Sequence, residues 1–164
     1  TLRFDVDLFC GVARAMPDVT FVLIGPDEDG VPLIEQQGLA NVLFLGPKPY
    51  DEMGSYVDVF DVGIVPYRIN SFNDGSNPLK VYEYLALGKA VVSVPLPSLK
   101  ELGDVILTAE GTDEFVACIR ESLSGDTPEL RALRRSVAES HNAPAIADRL
   151  LDFLVEADEA RVVT

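Results

Sequence analysis

The sequence predicts an α/β fold, a doubly wound parallel sheet, and three observations carry that expectation. Short apolar runs of strand length alternate with segments whose apolar residues recur at helical spacing. Runs such as "TFVLIG" and "NVLFLG" are apolar throughout rather than at every second position, the pattern of strands covered on both faces. Glycine, proline or asparagine stands at most junctions between the two kinds of segment. Strands separated by helices run parallel, because a helical crossover returns the chain to the same end of the sheet.

Phe4 to Met16 carries Phe4, Val6, Leu8, Phe9, Val12 and Ala13 at mostly helical spacing, so the chain opens on a helix. "TFVLIG" is then a buried strand stopped by Gly25-Pro26. "PLIEQQG" is a short helix ending at Gly38, and "NVLFLG" is the second strand. "YDEMGSYVDVF" reads as a helix and "DVGIVPY" as the third strand. A helix from Asn77 to Leu87 follows, with Asn77 as N-cap, Pro78 at the first helical position and Gly88 as its stop. Its face toward the sheet is expected to be Leu79, Tyr82, Leu85 and Ala86. "AVVSVPL" is the fourth strand, "SLKEL" a helical turn and "DVILTA" the fifth strand. Helices are expected over Asp113 to Leu123, near Pro128 to Ser140, and over residues 143–160.

Residues 1–164 read as a single domain without repeats, low-complexity tracts or an internal linker. A doubly wound unit normally begins with a strand, and here a helix comes first. The expectation is a sheet lacking its first strand, in a fragment of a longer protein. Ligands of such sheets bind outside the carboxyl ends of the strands. The connection from Tyr67 to Asn77 is long, polar and patternless, which marks it as the functional loop on that face.

The formal net charge of -14 argues against nucleic acid as a partner and against docking on an anionic membrane through this chain. No apolar run reaches the ~20 residues of a membrane span and no signal peptide is evident, so a cytoplasmic location is expected. An anionic small ligand is compatible with the charge, because a few local donors suffice to hold a phosphate. Cys10 and Cys118 lie in apolar helical patterns and read as buried small hydrophobes, with a disulfide as the alternative. A single histidine, His141, and no CxxC give no metal-site pattern; His141 reads as a loop residue without catalytic work.

Lys80 is the residue that architecture leaves unexplained. It falls in the first helical turn, where a capping box prefers Glu or Gln and where the helix dipole disfavours a cation. A bound anion reverses that sign. The amides of Asn77, Leu79 and Lys80, together with the Lys80 ammonium, would then converge on one phosphate group, with Pro78 contributing no N–H. Glu83, one turn on, either accepts two hydrogen bonds from a ribose diol or forms a surface pair with Lys80.

"NPLKVYEYLALGKAVVSVPL" resembles the "NPxKxxEYLAxGKPVV" segment of the group 1, family 4-like, glycosyltransferases. "RFDVDLF", "ARAMPDVTFVLIGP", "NVLFLGPKPYDEMGSYVDVFDVGIVPYR" and "EFVACIRESL" follow the same family in order, from about Arg3 to Leu123. The resemblance implies the Rossmann-like, donor-binding C-terminal domain of a GT-B fold, with an acceptor-binding N-terminal domain elsewhere in the protein. It implies transfer of a sugar from a nucleotide-diphospho-sugar, as in polysaccharide biosynthesis, with that donor as substrate, no cofactor and no metal. The chain alone would be inactive. The helix over residues 143–160 would pack on the other domain, and without it would promote self-association.

Carried over by position, Glu83 is the second glutamate of the family's E-x7-E pattern and holds the ribose. Gly75, Ser76, Asn77, Pro78, Leu79 and Lys80 form the turn facing diphosphate and sugar, with Lys80 stabilising the leaving group. Gly46, Pro47 and Lys48 face the nucleobase, and Gly25 with Pro26 lines the same crevice. The first glutamate falls at Gly75, which has no side chain, and Asp74 is the candidate to stand in for it. Arg3, at the edge, and Arg68 are further candidates beside the leaving phosphate, with a solvated arginine as the other reading of Arg68. Two other readings stand beside the transferase: half of a GT-B nucleotide-sugar epimerase, and a non-catalytic nucleotide-sugar-binding module.

Overall fold

The computed structural model describes residues 3–26 and 30–141. The predicted alternation is present: α1 (Val6–Ala15), β1 (Phe21–Leu23), α2 (Val31–Glu35), β2 (Val42–Phe44), α3 (Met53–Asp58) and β3 (Val62–Val65). There follow α4 (Ser71–Asp74), α5 (Leu79–Ala86), β4 (Ala90–Ser93), β5 (Leu107–Thr108), α6 (Gly111–Gly125) and α7 (Pro128–Ser140). The helix expected over residues 143–160 lies outside the described residues.

Among the described residues the named strands all pair in parallel, as the intervening helices require, and an isolated antiparallel bridge joins Phe4 to Tyr67. The strands fall into two ladders, β1-β2 and β3-β4-β5, rather than one continuous sheet. β4, with a neighbour on each side, is buried at all its positions. α1 packs on α6, and α5 packs on α7, so helices cover both sides of the strands. The core joins these layers through Phe9, Val12 and Met16 of the first helical unit, Val91 and Val92 of β4, and Phe115 and Ile119 of α6. Asp5 starts α1 by accepting from the Leu8 amide at 3.0 Å, leaving the apolar stripe of the helix to face this core. Asn41 fixes its other end, donating to the carbonyls of Ala13, Met16 and Val19.

Two glycines set the packing of α5. A Cβ at Gly63 of β3 would lie 2.2 Å from Cδ2 of Tyr84, so the Tyr84 ring rests directly on the strand backbone. Gly88, with φ 74°, turns the chain out of the helix, and a Cβ there would meet the Arg131 carbonyl at 3.2 Å. Arg134 of α7 is buried against this end and donates to the Gly88 carbonyl at 3.2 Å and to Asp126 at 2.5 Å. A cation on the last carbonyls of a helix is the favourable end for its dipole.

Three local expectations are corrected. α5 begins at Leu79 with Pro78 as the N-cap, one residue later than read, because Pro78 holds ψ 101°, outside the helical range. Its buried positions are Val81 and Leu85, whereas Leu79 is 71% exposed and Ala86 is exposed. The connection from Tyr67 to Asn77 is not without structure: Asn70 caps α4 by accepting from the Asn73 amide at 2.9 Å. A four-residue helical turn has no room for the periodicity by which longer helices are recognised.

Acid should weaken the α5–α7 junction. Burial alone would push the Asp126 carboxyl up, but hydrogen bonds from Arg134 and Arg131 outweigh it and hold it below the ordinary range. A carboxylate depressed in the folded state contributes stability above its unfolded pKa of ~3.9, and that contribution is lost as pH falls through the folded value. Urea unfolding followed downward from neutral pH is expected to show this loss setting in below about pH 4. Asp126→Asn should remove that part of the acid dependence and lower stability at neutral pH, where Arg134 loses its counter-ion.

Candidate functional site

The carboxyl ends of the strands gather the residues that the sequence singles out. Gly25, after β1, donates its amide to the Gly46 carbonyl after β2 at 3.1 Å, so the two glycine loops lie side by side. Gly46 takes φ 68° there, a conformation suited to glycine. The loop then runs through Pro47 and Lys48 to Tyr50, whose hydroxyl donates to Oε1 of Glu83 at 3.2 Å. That contact brings the second-strand loop to α5, across the open edges of both ladders. Glu83 and Tyr50 are both exposed, so the contact is accessible from solvent.

Lys80 lies at the second position of α5, and its ammonium sits over the ring of Tyr67, 5.2 Å from the centroid. Lys80 and Glu83 therefore each have an aromatic partner, and no ion pair joins them among those described. The amides of Leu79 and Lys80 open the helix and have no intrahelical acceptors. Pro78, with no N–H, precedes them and is buried. Ser98 holds the approach to this turn, donating its hydroxyl to the Ser76 carbonyl at 2.7 Å.

Asn73 positions the loop from beneath. It has no solvent exposure, and its side-chain amide donates to the carbonyls of Arg68 at 2.7 Å and Arg3 at 3.2 Å. Arg68 in turn donates its backbone amide to Arg3 at 2.7 Å and its Nε to the Phe4 carbonyl at 3.3 Å. Arg3 covers the ring of Phe72, 5.2 Å from its centroid. Both arginines thus stand at the rim of the crevice and brace the loop and the start of the chain.

Asp74 ends α4, exposed, and Gly75 follows it, also exposed. A Cβ at Gly75 meets nothing within 4 Å, and its φ of -86° suits any residue. The missing glutamate is therefore not excluded by the backbone. Lys48 turns to its own segment, its ammonium over the Tyr56 ring at 5.7 Å. His141 stacks on Tyr82, with ring centroids 5.3 Å apart, and approaches Glu101 at 3.6 Å. Cys10 and Cys118 are both free thiols, and burial pushes each up.

Tyr50, Tyr67, Asn73 and Ser98 are contributors that sequence reasoning missed. Tyr50 opens "YDEMGSYVDVF" and Tyr67 closes "DVGIVPY", and neither position carries a ligand signal of its own in the sequence. Tyr84, buried behind the site, has its phenol pushed up to about 12 by burial, with Glu83 and Tyr67 adding to it.

The arrangement is a crevice with a helix start and cation on one side, a carboxylate above them, and glycine-bearing loops opposite. The family model of the group 1 glycosyl transferases matches residues 5–125, three quarters of the chain at its strand and crevice elements. The chain belongs to that family. It is 32% identical over 158 residues to TuaH of Bacillus subtilis (strain 168), provisionally named a teichuronic acid biosynthesis glycosyltransferase. The match covers 92% of this chain and 40% of TuaH. Among solved structures, Anabaena HepE in complex with UDP and glucose superimposes with a TM-score of 0.70 at 20% identity, over 90% of this chain and 43% of HepE. The pneumococcal O-GlcNAc transferase GtfA, in complex with UDP and GlcNAc, gives 0.63 at 17% identity, over 91% of this chain and 32% of GtfA. These structures show the fold, that of GT-B glycosyltransferases, and the chain spans less than half of each relative.

Two measurements check the geometry. Asn73→Ala strips a buried donor from two carbonyls and is expected to destabilise the protein by ~1–3 kcal/mol in urea unfolding. The Tyr50 phenol is raised by its hydrogen bond to Glu83 and by the charge of that carboxylate. Glu83→Gln should therefore lower the Tyr50 titration midpoint, read from the ring-carbon chemical shift next to the hydroxyl.

Proposed function

We propose that this chain is the donor-binding half of a glycosyltransferase that moves a sugar from a nucleotide-diphospho-sugar to an acceptor. The observation that carries the reading is the α5 start, where two unpaired helix amides and Lys80 stand one turn below Glu83 in a crevice at the strand ends. The solved relatives carry UDP, with glucose or GlcNAc, in their complexes, and UDP-linked sugars are the donor class proposed here. TuaH's provisional name supports a place in polysaccharide biosynthesis.

In this reading the diphosphate lies at the start of α5, against the amides of Leu79 and Lys80, with Ser76 and Asn77 lining the turn before it. The Lys80 ammonium leaves Tyr67 for the phosphate oxygens. Glu83 exchanges the Tyr50 hydroxyl for the ribose diol, and Gly46, Pro47 and Lys48 border the base. As the bond to the sugar breaks, negative charge gathers on the departing diphosphate, and fixed donors stabilise charge that develops in the transition state. The helix start and Lys80 supply that stabilisation, so no metal is assigned to the step. The sugar lies toward Asp74 and Gly75. A domain beyond this chain supplies the acceptor face.

Calorimetric titration with UDP, GDP and ADP is expected to reveal one preferred nucleotide. Lys80→Ala should weaken the diphosphate about tenfold and the bare nucleoside little, since it removes a charge-assisted contact. Glu83→Ala should weaken both, by about tenfold. Absence of binding by all three diphosphates to folded protein would overturn the proposal. Gly75→Glu, which the backbone accommodates, should tighten the sugar-linked nucleotide and leave the free diphosphate unchanged or weaker.

A further inference from the structure

Tyr50 is the most exposed large apolar side chain among the described residues, at 81%. A lone exposed ring is ordinary, but this one is held in place at both ends. Pro47 and Pro49 bracket Lys48 and restrict the backbone just before it. Tyr50 itself opens a short 3-10 turn, Tyr50–Glu52, that runs into α3. Its hydroxyl is fixed as well, donating to Oε1 of Glu83 at 3.2 Å. The ring is therefore presented to solvent by a stiff loop on one side and a hydrogen bond on the other.

Rings nearby are already engaged. Lys80 lies over Tyr67, Arg3 over Phe72 and Lys48 over Tyr56. Tyr84 rests on the backbone of Gly63. Among the described residues no ring and no cation covers Tyr50, so its π-faces are open. An open aromatic face on a stiff loop is suited to a flat partner, because a tyrosine offers a large rigid contact area at low entropy cost.

We infer that the Tyr50 ring is the stacking partner of the donor's nucleobase. The inference deepens the donor reading above and rests on it. A ribose whose diol is held by Glu83 carries its base on the carbon next to the 2′-hydroxyl, within one sugar's width of that carboxylate. The Tyr50 ring, tied to Glu83 through its own hydroxyl, lies within the same reach. When the diol replaces that hydroxyl, the ring is released where the base arrives, and it turns onto the base about its own side-chain bonds. Every base has a π-face, so Tyr50 adds affinity without choosing among bases. The choice is left to groups that meet the base edge, such as Lys48 on the same loop. Tyr50 thus holds Glu83 before the donor binds and the base afterwards.

The test titrates the whole protein and its Tyr50 variants with UDP, GDP and ADP, and with inorganic pyrophosphate, which has no base. A change at so exposed a position leaves the core intact. Tyr50→Leu should weaken the preferred nucleotide about tenfold and leave pyrophosphate unchanged. Tyr50→Phe keeps the ring and loses the hydroxyl, and should stay within about threefold of the unaltered protein. These 164 residues contain no tryptophan, so Tyr50→Trp adds an indole whose emission the preferred nucleotide should quench and pyrophosphate should not. Unchanged affinity in Tyr50→Leu, equal losses in the Leu and Phe variants, or an indole indifferent to bound nucleotide would each overturn the inference and leave the donor reading standing. If none of the three nucleotides binds the unaltered protein, both fall together.

Discussion

Asn73 donates to the carbonyls of Arg3 and Arg68 from a position without solvent exposure, and the arrangement at the strand ends depends on those two bonds. One amide group ties the entry into α1, the exit from β3 and the turn of α4 into a single unit. A buried amide without partners would cost more than its bonds contribute when made, so the loop has one low-energy placement rather than several. The connection to α5 leaves from that fixed point, and Ser98 steadies it at Ser76. Lys80 and Glu83 then inherit their positions from a loop whose anchor is polar and buried.

The resting partners of these charged groups are weak ones. An ammonium over an aromatic face at an accessible site is worth ~0.5–1 kcal/mol, whereas hydrogen bonds to a charged group reach ~1.5–3 kcal/mol. Tyr67 therefore holds Lys80 near the helix start without competing strongly against an anion. Tyr50 stands in the same relation to Glu83: it orients the carboxylate and presents a single hydroxyl, where a diol presents two. In the proposed donor complex, such contacts would order the side chains beforehand and lower the entropy cost of binding.

The fold was largely legible because its signals are redundant. "TFVLIG" and "NVLFLG" both form strands, though Leu43 of β2 stays half exposed, and Gly88 follows α5 where the sequence places it, whereas α2 ends at Glu35, short of the expected stop at Gly38. The sequence singles out Lys80 by its poor fit to a helix start and Glu83 by the family motif, and the structure sets both on α5 with aromatic partners at Tyr67 and Tyr50. Pairing between distant segments was not legible. Nothing in the isolated residues says that Tyr50 reaches Glu83 over 33 positions, or that Asn73 reaches Arg3 over 70. The start of α5 was misplaced by one residue, since Asn77 and Pro78 both favour the region before a helix and only backbone angles decide between them. The division into two ladders was hidden as well: strand patterns report burial, and they do not report which edges meet.

Gly63 lies behind the crevice and touches none of its charged groups, yet it works as a gauge for them. With the Tyr84 ring where a Cβ would stand, the standoff between α5 and the third strand is fixed by a hydrogen atom. Adding one methyl group would lift the helix outward, and both Lys80 and Glu83 would ride with it. A displacement of that order moves donors out of hydrogen-bond range while leaving the fold in place. Position 63 thus sets the reach of Lys80 and Glu83, and under the proposed function substitutions there would alter donor binding without changing either side chain.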